Sequence, residues 1–485
     1  MPPTRLPRFL LLSLSLSLLP SFSVSAASAP RPPNIVFILA DDLGYGDLSV
    51  YGQRAFATPN IDRLAAEGMR FTQHYSGATV CAPSRSALFT GLHTGHTPIR
   101  GNKEVQPEGQ HPLPADTRTL AKLLKGAGYT TGLFGKWGLG FPGSEGAPRR
   151  QGFDRFFGYN CQRLGHHYYP EHLWDDDTQL SLPANTDRRN GTYAPTLIHQ
   201  KTLSFIEANR DRPFFCFVAS IIPHAELTAP ESYLARHRGK YGPEQPYVGV
   251  DDGPTFRQGP YASQPDPRAA YAAMINVLDD QVGEIVAKLR RLGLAENTLV
   301  VFSSDNGPAF EGGSNPAFFN SNGGLRGIKR DLYEGGIRVP MIAHWPGTIA
   351  RGEVSTHLSA FWDWLPTFAE LAGLPAPAAL VGVSLAPTLT RRGRQAQHNY
   401  LYWEFHEGGG RVALRQGDWK VVRYEVLKNP NGPLALFNLA TDPNETTDLA
   451  ARHPDRVKAL GSLLAGARTE SPIFQFGQTG YLQAR

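Results

Sequence analysis

The sequence predicts an α/β protein: a mainly parallel, mixed sheet sandwiched by helices, followed by a smaller C-terminal antiparallel sheet packed by a helix. Three observations carry this. Apolar runs of strand length alternate with helical stretches from residue 34 to about 343. Those runs are continuously apolar rather than alternating, the mark of strands covered on both faces. From about residue 396 the texture changes to short, turn-separated segments rich in aromatic and β-branched residues, which read as hairpins.

Residues 1–26 differ from the rest of the chain. Arg5 and Arg8 precede the apolar run Phe9–Leu19, and Val24-Ser25-Ala26 offers a cleavage site. The apolar core is too short to span a bilayer comfortably, so this reads as a signal peptide rather than a membrane anchor, with a secreted or periplasmic product. Removing it takes two arginines and no acid, lowering the formal charge from +5 to 5 − 2 = +3. No polybasic run with interleaved aromatics occurs, which argues against nucleic acid. The remaining organisation is an α/β domain over 34–395 and a β subdomain with its helix over 396–485.

Asn34–Ala40 is the first buried strand and stops at Asp41-Asp42. Residues 58–68 read as a helix opened by Thr58-Pro59 and stopped by Gly68; residues 119–126 read the same way. Tyr129–Phe134 is then a strand leading to Gly135-Lys136-Trp137-Gly138. Phe214–Ala219 is another, ending in Ile222-Pro223-His224. Ala269–Leu292 reads as a long helix with Ile275, Leu278, Val282, Ile285 and Leu289 on one stripe. Thr298–Phe302 is a strand ending near Asp305-Asn306-Gly307, and Val339–Ala343 is one more. The C-terminal strands are 400–405, 410–415, 419–424 and 435–438, with a helix over 454–468.

Asp41-Asp42, Lys136, His224 and Asp305-Asn306 all lie just past the C-terminal end of a predicted strand. In an open parallel sheet that rim is where ligands bind. Asp41, Asp42, Asp305 and Asn306 form an all-oxygen set, suited to a hard cation such as Ca²⁺ or Mg²⁺ and not to zinc. Of three cysteines, Cys161 and Cys216 are left as a pair or as buried thiols. The third, Cys81, opens Cys81-Ala82-Pro83-Ser84-Arg85-Ser86-Ala87-Leu88-Phe89-Thr90-Gly91. No second Cys or His stands at zinc spacing from it.

That stretch resembles the sulfatase signature C-x-P-S-R-x-x-L-x-T-G at every fixed position. The resemblance implies a type I sulfatase, with an alkaline-phosphatase-like fold, hydrolysing sulfate esters. It also implies that Cys81 is oxidised to formylglycine, by a formylglycine-generating enzyme or an anaerobic maturase. One hydroxyl of the aldehyde hydrate attacks sulfur and the other later expels sulfate, so the reaction is split into two easier steps. By the same resemblance Asp41, Asp42, Asp305 and Asn306 bind Ca²⁺ together with residue 81, and Arg85 steadies the formylglycine. A helix beginning near Ser84 would also turn its amides toward the anionic site.

Gly135-Lys136-Trp137-Gly138-Leu139-Gly140 resembles a second family segment and makes Lys136 a contact for sulfate. At position 138, however, stands Gly138, where the resemblance implies a histidine that hydrogen-bonds the formylglycine hydroxyl and serves as the base that helps eject sulfate; His166 and His167 are the nearest replacements along the chain. His224 matches the histidine that protonates the leaving oxygen, a role suited to a group near its ordinary pKa. The segment Lys329…Tyr333-Glu334-Gly335-Gly336-Ile337-Arg338-Val339-Pro340 makes Lys329 the bridge between sulfate and leaving oxygen. Glu334 and Arg338 read as a structural pair. The alternatives are a phosphatase or phosphonate hydrolase of the same architecture, or a glycan-binding relative without turnover, for which Gly138 argues. The expected substrate is a sulfated sugar of a polysaccharide, ahead of aryl sulfates, with His166, His167, Glu404 and His406 reading hydroxyls at the pocket mouth.

Overall fold

The structure is a computed structural model that describes Met1, Thr4 and residues 31–249, 261–375 and 377–476. Apart from Met1 and Thr4, the predicted signal peptide lies outside the described residues. The chain from Pro32 onward forms one unit.

Its strands are β1 (Asn34–Ala40), β2 (Met69–Phe71), β3 (His74–Tyr75), β4 (Thr130–Lys136), β5 (Arg155–Tyr159), β6 (His172–Asp175), β7 (Thr178–Ser181) and β8 (Phe214–Ala219). The later strands are β9 (Thr298–Ser304), β10 (Met341–His344), β11 (Glu353–Ser355), β12 (Ser359–Ala360), β13 (Leu401–Phe405), β14 (Arg411–Gln416), β15 (Trp419–Tyr424) and β16 (Ala435–Asn438). The large sheet runs β11-β2-β10-β9-β1-β8-β4-β5-β6-β7. Its centre, β9-β1-β8-β4-β5, is parallel throughout. Towards the edges β10, β6 and β7 pair antiparallel.

The continuous apolar run of β1 has the expected cause. Val36, Ile38 and Ala40 enter one core, with the long helix Pro267–Arg291 and the helix Ala194–Ala208. Ile35, Phe37 and Leu39 enter a second core on the other face, with helices Leu120–Gly126 and Trp364–Leu371. All five stripe residues of the long helix are buried. Thr119 caps its helix by accepting from the Lys122 amide at 3.2 Å, as an N-cap threonine does.

The C-terminal sheet is antiparallel, in the order β13-β14-β15-β16. One face packs on the helix Pro454–Gly466 through Leu414, Val421, Leu460 and Leu464. The other face shares a core with the large domain: Trp403 and Phe437 lie with Tyr75, Val80, Ala87 and Trp362. Lys420 on β15 pairs with Glu334 at 3.0 Å and with Glu445 at 2.9 Å, all three side chains fully buried. Glu334 also lies 3.6 Å from Arg338.

Candidate active site

The rim expected from the strand ends is present and tightly tied. The Asp41 amide donates to Ile222 O at 3.0 Å and the Asp305 amide donates to Ala40 O at 3.1 Å, so the ends of β1, β8 and β9 hold one another. Asp42 adopts a left-handed backbone (φ 62°), a conformation in which aspartate is enriched. Lys136 is the last residue of β4 rather than lying beyond it, because the β4–β5 ladder continues to Lys136 opposite Tyr159.

Cys81 begins the helix Cys81–Thr90, three residues earlier than the helix start expected near Ser84. Pro83 fits here because the first turn of a helix makes no demand on its N–H. Ser84 Oγ donates to Asp305 O at 2.5 Å and accepts from the Gly77 amide at 3.1 Å. Arg85, only 1% exposed, spends its donors on Asp305 (Nη2–Oδ2 2.8 Å), Asp41 (Nη2–Oδ2 3.4 Å) and Lys136 O (Nη1 2.5 Å). The arginine therefore positions two carboxylates and the Lys136 backbone.

Around Cys81 Sγ stand Asp41 Oδ1 at 3.4 Å and Lys136 Nζ at 3.6 Å. Burial and the Asp41 carboxylate push the thiol well above its ordinary value, against the pull of Lys136. Lys136 Nζ also lies 2.6 Å from Asp41 Oδ2. Burial works to raise Asp41, but Lys136 foremost, with His224, Arg85 and Lys329, brings it below the usual carboxylate range.

Opposite lies a second charged group. Lys329 Nζ is 2.8 Å from Asp42 Oδ2, 3.1 Å from His224 Nε2 and 3.4 Å from Glu311 Oε2. His224 Nδ1 meets Ala225 O, so the hydrogen belongs on Nδ1 and Nε2 accepts from the ammonium. Burial, then Lys329, pushes His224 below its ordinary value. This corrects the expectation of a histidine near its unperturbed pKa: a buried imidazole beside an ammonium stays neutral. Tyr168 OH bridges the carbonyls of Ile221 (2.7 Å) and His224 (2.8 Å), fixing this loop.

The residues present fit a hard cation. Asp41, Asp42, Asp305 and Asn306 are all 2% exposed or less. Asn306 Nδ2 donates to Asp42 Oδ1 at 2.7 Å, which leaves Asn306 Oδ1 buried with no hydrogen-bond partner among the described residues. Burial, with Asp41 adding to it, pushes Asp305 up to about 6, as happens where buried carboxylates crowd one another. One ligand atom from each of Asp41, Asp42, Cys81 and His224 lies within 4.8 Å of the others. His224 Nε2 is committed to Lys329, so the oxygen donors are the available ones.

Cys81 opens onto a cavity of about 300 Å³, lined also by Gln110, Gln162, His166, His224, Glu311 and Lys329. Asn102, Glu104, Tyr261, Arg330 and Glu407 complete its lining. His166 is there as expected, its ring stacked on His224 (centroids 4.3 Å apart, 15° between planes). His167 is not; it turns to Glu226, with Nδ1 3.2 Å from Oε2. Nor do Glu404 and His406 line this cavity, which corrects the expectation that both read substrate hydroxyls. Glu404 is fully buried between Arg100 (3.2 Å), Arg468 (2.9 Å), Tyr402 OH (2.8 Å) and His406 (3.0 Å). Strand alternation turns residue 404 inward, and two arginines make it a structural anchor. Glu311, which pairs with Arg330 at 2.5 Å, has no periodicity or motif to mark it, because it lies in an irregular loop. Cys161 and Cys216 are both free and buried.

Comparison with known proteins decides the family. The Sulfatase family model matches residues 33–374. The chain belongs to the sulfatase family. A second model, N-sulphoglucosamine sulphohydrolase, C-terminal, matches residues 327–462 of this sulfatase. It is 34% identical over 438 residues to N-acetylgalactosamine-6-sulfatase of Mus musculus, covering 84% of this chain and 74% of the relative. It is 33% identical over 510 residues to arylsulfatase A of Homo sapiens, covering 94% and 90%. Among solved structures, Ps i-CgsB superposes with a TM-score of 0.75 at 26% identity, covering 93% of this sulfatase and 96% of that chain; it has also been solved with k-i-k-neocarrahexaose. The relatives are sulfuric ester hydrolases, and the sheet architecture is the alkaline-phosphatase-like one.

Proposed function

We propose that this sulfatase hydrolyses the sulfate ester of a sugar unit in a sulfated glycan. Formylglycine derived from Cys81 would be the nucleophile, and Asp41, Asp42, Asp305 and Asn306 would hold Ca²⁺ or Mg²⁺. The position of Cys81 carries this reading. Cys81 Sγ stands 3.4 Å from Asp41 Oδ1 and 3.6 Å from Lys136 Nζ, beside the proposed cation ligands. It lies inside the family's signature and lines a cavity together with His224, Lys329 and Arg330. Formylglycine supplies a hydrate hydroxyl for attack at sulfur, and the cation supplies charge against the sulfonate oxygens.

The chain's own residues then divide the work. Lys136 and Lys329 flank the sulfate position from two sides and offset its charge in a buried site, where such donors act strongly. The Lys329 ammonium holds a proton next to neutral His224, so this pair delivers a proton to the leaving oxygen and His224 orients it. A cavity of about 300 Å³ accommodates a single sugar with its sulfate inward. The k-i-k-neocarrahexaose bound to Ps i-CgsB and the sugar in the name of N-acetylgalactosamine-6-sulfatase both favour a carbohydrate. The leader expected over residues 1–26 favours export. The partner this chemistry requires is an enzyme that converts Cys81.

Two measurements test the reading. The Cys81 peptide, isolated from a host that has the converting enzyme, is expected to show the mass of formylglycine; an unmodified thiol overturns the nucleophile. Sulfate release is expected from at least one member of a panel of sulfated mono- and disaccharides. Release from aryl sulfates alone overturns the sugar assignment.

A further inference from the structure

The turn after β4 leaves one buried side chain without a purpose in the fold. Gly138 sits in the left-handed region (φ 78°), and its amide is tied to Asn160 O at 3.0 Å. A Cβ built on Gly138 would lie 2.0 Å from Gln162 Nε2 and 2.8 Å from Gln162 Cδ. The Gln162 amide therefore occupies the space that a side chain at position 138 would take. Gln162 is 4% exposed, and neither Nε2 nor Oε1 has a hydrogen-bond partner among the described residues. Its backbone is well held, the amide donating to Gln110 Oε1 at 2.8 Å. Gln162 lines the same cavity as Cys81, His224 and Lys329.

A buried amide with both ends unpaired bears the desolvation penalty with no return, so such a group calls for a partner outside the folded chain. We propose that Gln162 replaces the missing side chain at position 138 as the hydrogen-bonding contact for the reactive group of residue 81. The inference rests on the formylglycine reading. An amide both donates and accepts but takes up no proton near neutrality. Gln162 thus holds the hydrate hydroxyl in place and is not the base that helps release sulfate. Gly138 and Gln162 form a matched pair: the absence of a Cβ at one position makes room for the amide of the other.

Gln162→Met keeps length and volume while removing both polar atoms. Because they bond to nothing among the described residues, Tm is expected to stay within about 1 °C or to rise. On a substrate that the wild type desulfates, kcat is expected to fall at least about tenfold while KM changes less than about threefold. A second readout needs no turnover. Loss of a contact to the hydrate shifts residue 81 toward free aldehyde, so a hydrazide probe should label it at least about threefold faster than in the wild type. A wild-type kcat or an unchanged labelling rate in Gln162→Met overturns the assignment. A wild type that carries no formylglycine brings down the nucleophile reading and this inference together; an active wild type with an indifferent Gln162 brings down only the latter. If Gln162→Met does not accumulate, Gln162→Ala is read by the same two measurements.

Discussion

Lys420→Met would remove the single cation between Glu334 and Glu445 and leave two buried carboxyls facing each other. Breaking one side of a buried ion pair costs about 3–5 kcal/mol. Unfolding entropy of about 2.1 cal/mol/K per residue, over roughly 450 residues, makes 1 kcal/mol worth about 1 °C. Tm is therefore expected to fall by about 3–5 °C near pH 8. The pH dependence is the sharper test. Burial, with Glu334 adding to it and Lys420 opposing, pushes Glu445 from the ordinary 4.5 up to about 7. A carboxyl raised in the folded state contributes stability that is full below its unfolded pKa and lost as pH rises through the folded one. Glu334 has the opposite sign. Burial works to raise it, but Lys420, Arg415 and Arg338 hold it well below its ordinary range, so its contribution is present above about 4.5 and lost in acid. Without Lys420 both carboxyls move up and both carry protons more readily. The deficit should then be largest near pH 8.5 and shrink by about pH 5.5, where Glu445 is protonated. Thermal unfolding followed by circular dichroism across that range measures it. A fall below about 1 °C, or an equal fall at both pH values, would refute the account of this network.

Other outcomes rest on the same geometry. Glu404→Gln is expected to lower Tm by a few degrees, since Arg100 and Arg468 lose a buried partner, and to leave KM unchanged; a selective rise in KM would return residue 404 to the substrate site. His224→Ala and Lys329→Ala should each reduce turnover at least about tenfold with far-UV circular dichroism unchanged; wild-type rates from both would remove the proton-delivery role. Chelation of the divalent cation should abolish sulfate release and lower Tm, because an ion held only by the folded state stabilises it, and Ca²⁺ or Mg²⁺ should restore both. A chelated enzyme with full activity would exclude the cation from the site.

The architecture is legible in the sequence because its causes are local. β1, β8 and β9 are strands buried on both faces and announce themselves as apolar runs, and the polar residues at their ends follow directly. Asp41, Asp42, Lys136, His224, Asp305 and Lys329 do gather around Cys81. Three things are not legible, each for a different reason. The downward shift of His224 depends on its burial and on Lys329, 105 residues away along the chain. The anchoring of Glu404 as a buried structural carboxylate depends on Arg100 and Arg468 arriving from other elements. Glu311 and Gln162 lie in loops without period or motif, so only the folded cavity reveals them. Gly138 is visible as a departure in the sequence, but its match with Gln162 exists only in three dimensions.

Cys81 is 2% exposed, and the groups that close over it come from far along the chain: Asn306 meets Asp42 across 264 residues and Lys329 meets Asp42 across 287. An order of events is implied. On the proposed formylglycine reading, an enzyme that oxidises Cys81 would have to reach it before the late segments return to the rim, so conversion would compete in time with folding. A chain that folds quickly without the converting enzyme would be locked as a stable thiol form. Its recovery would require unfolding, not merely later exposure to the enzyme.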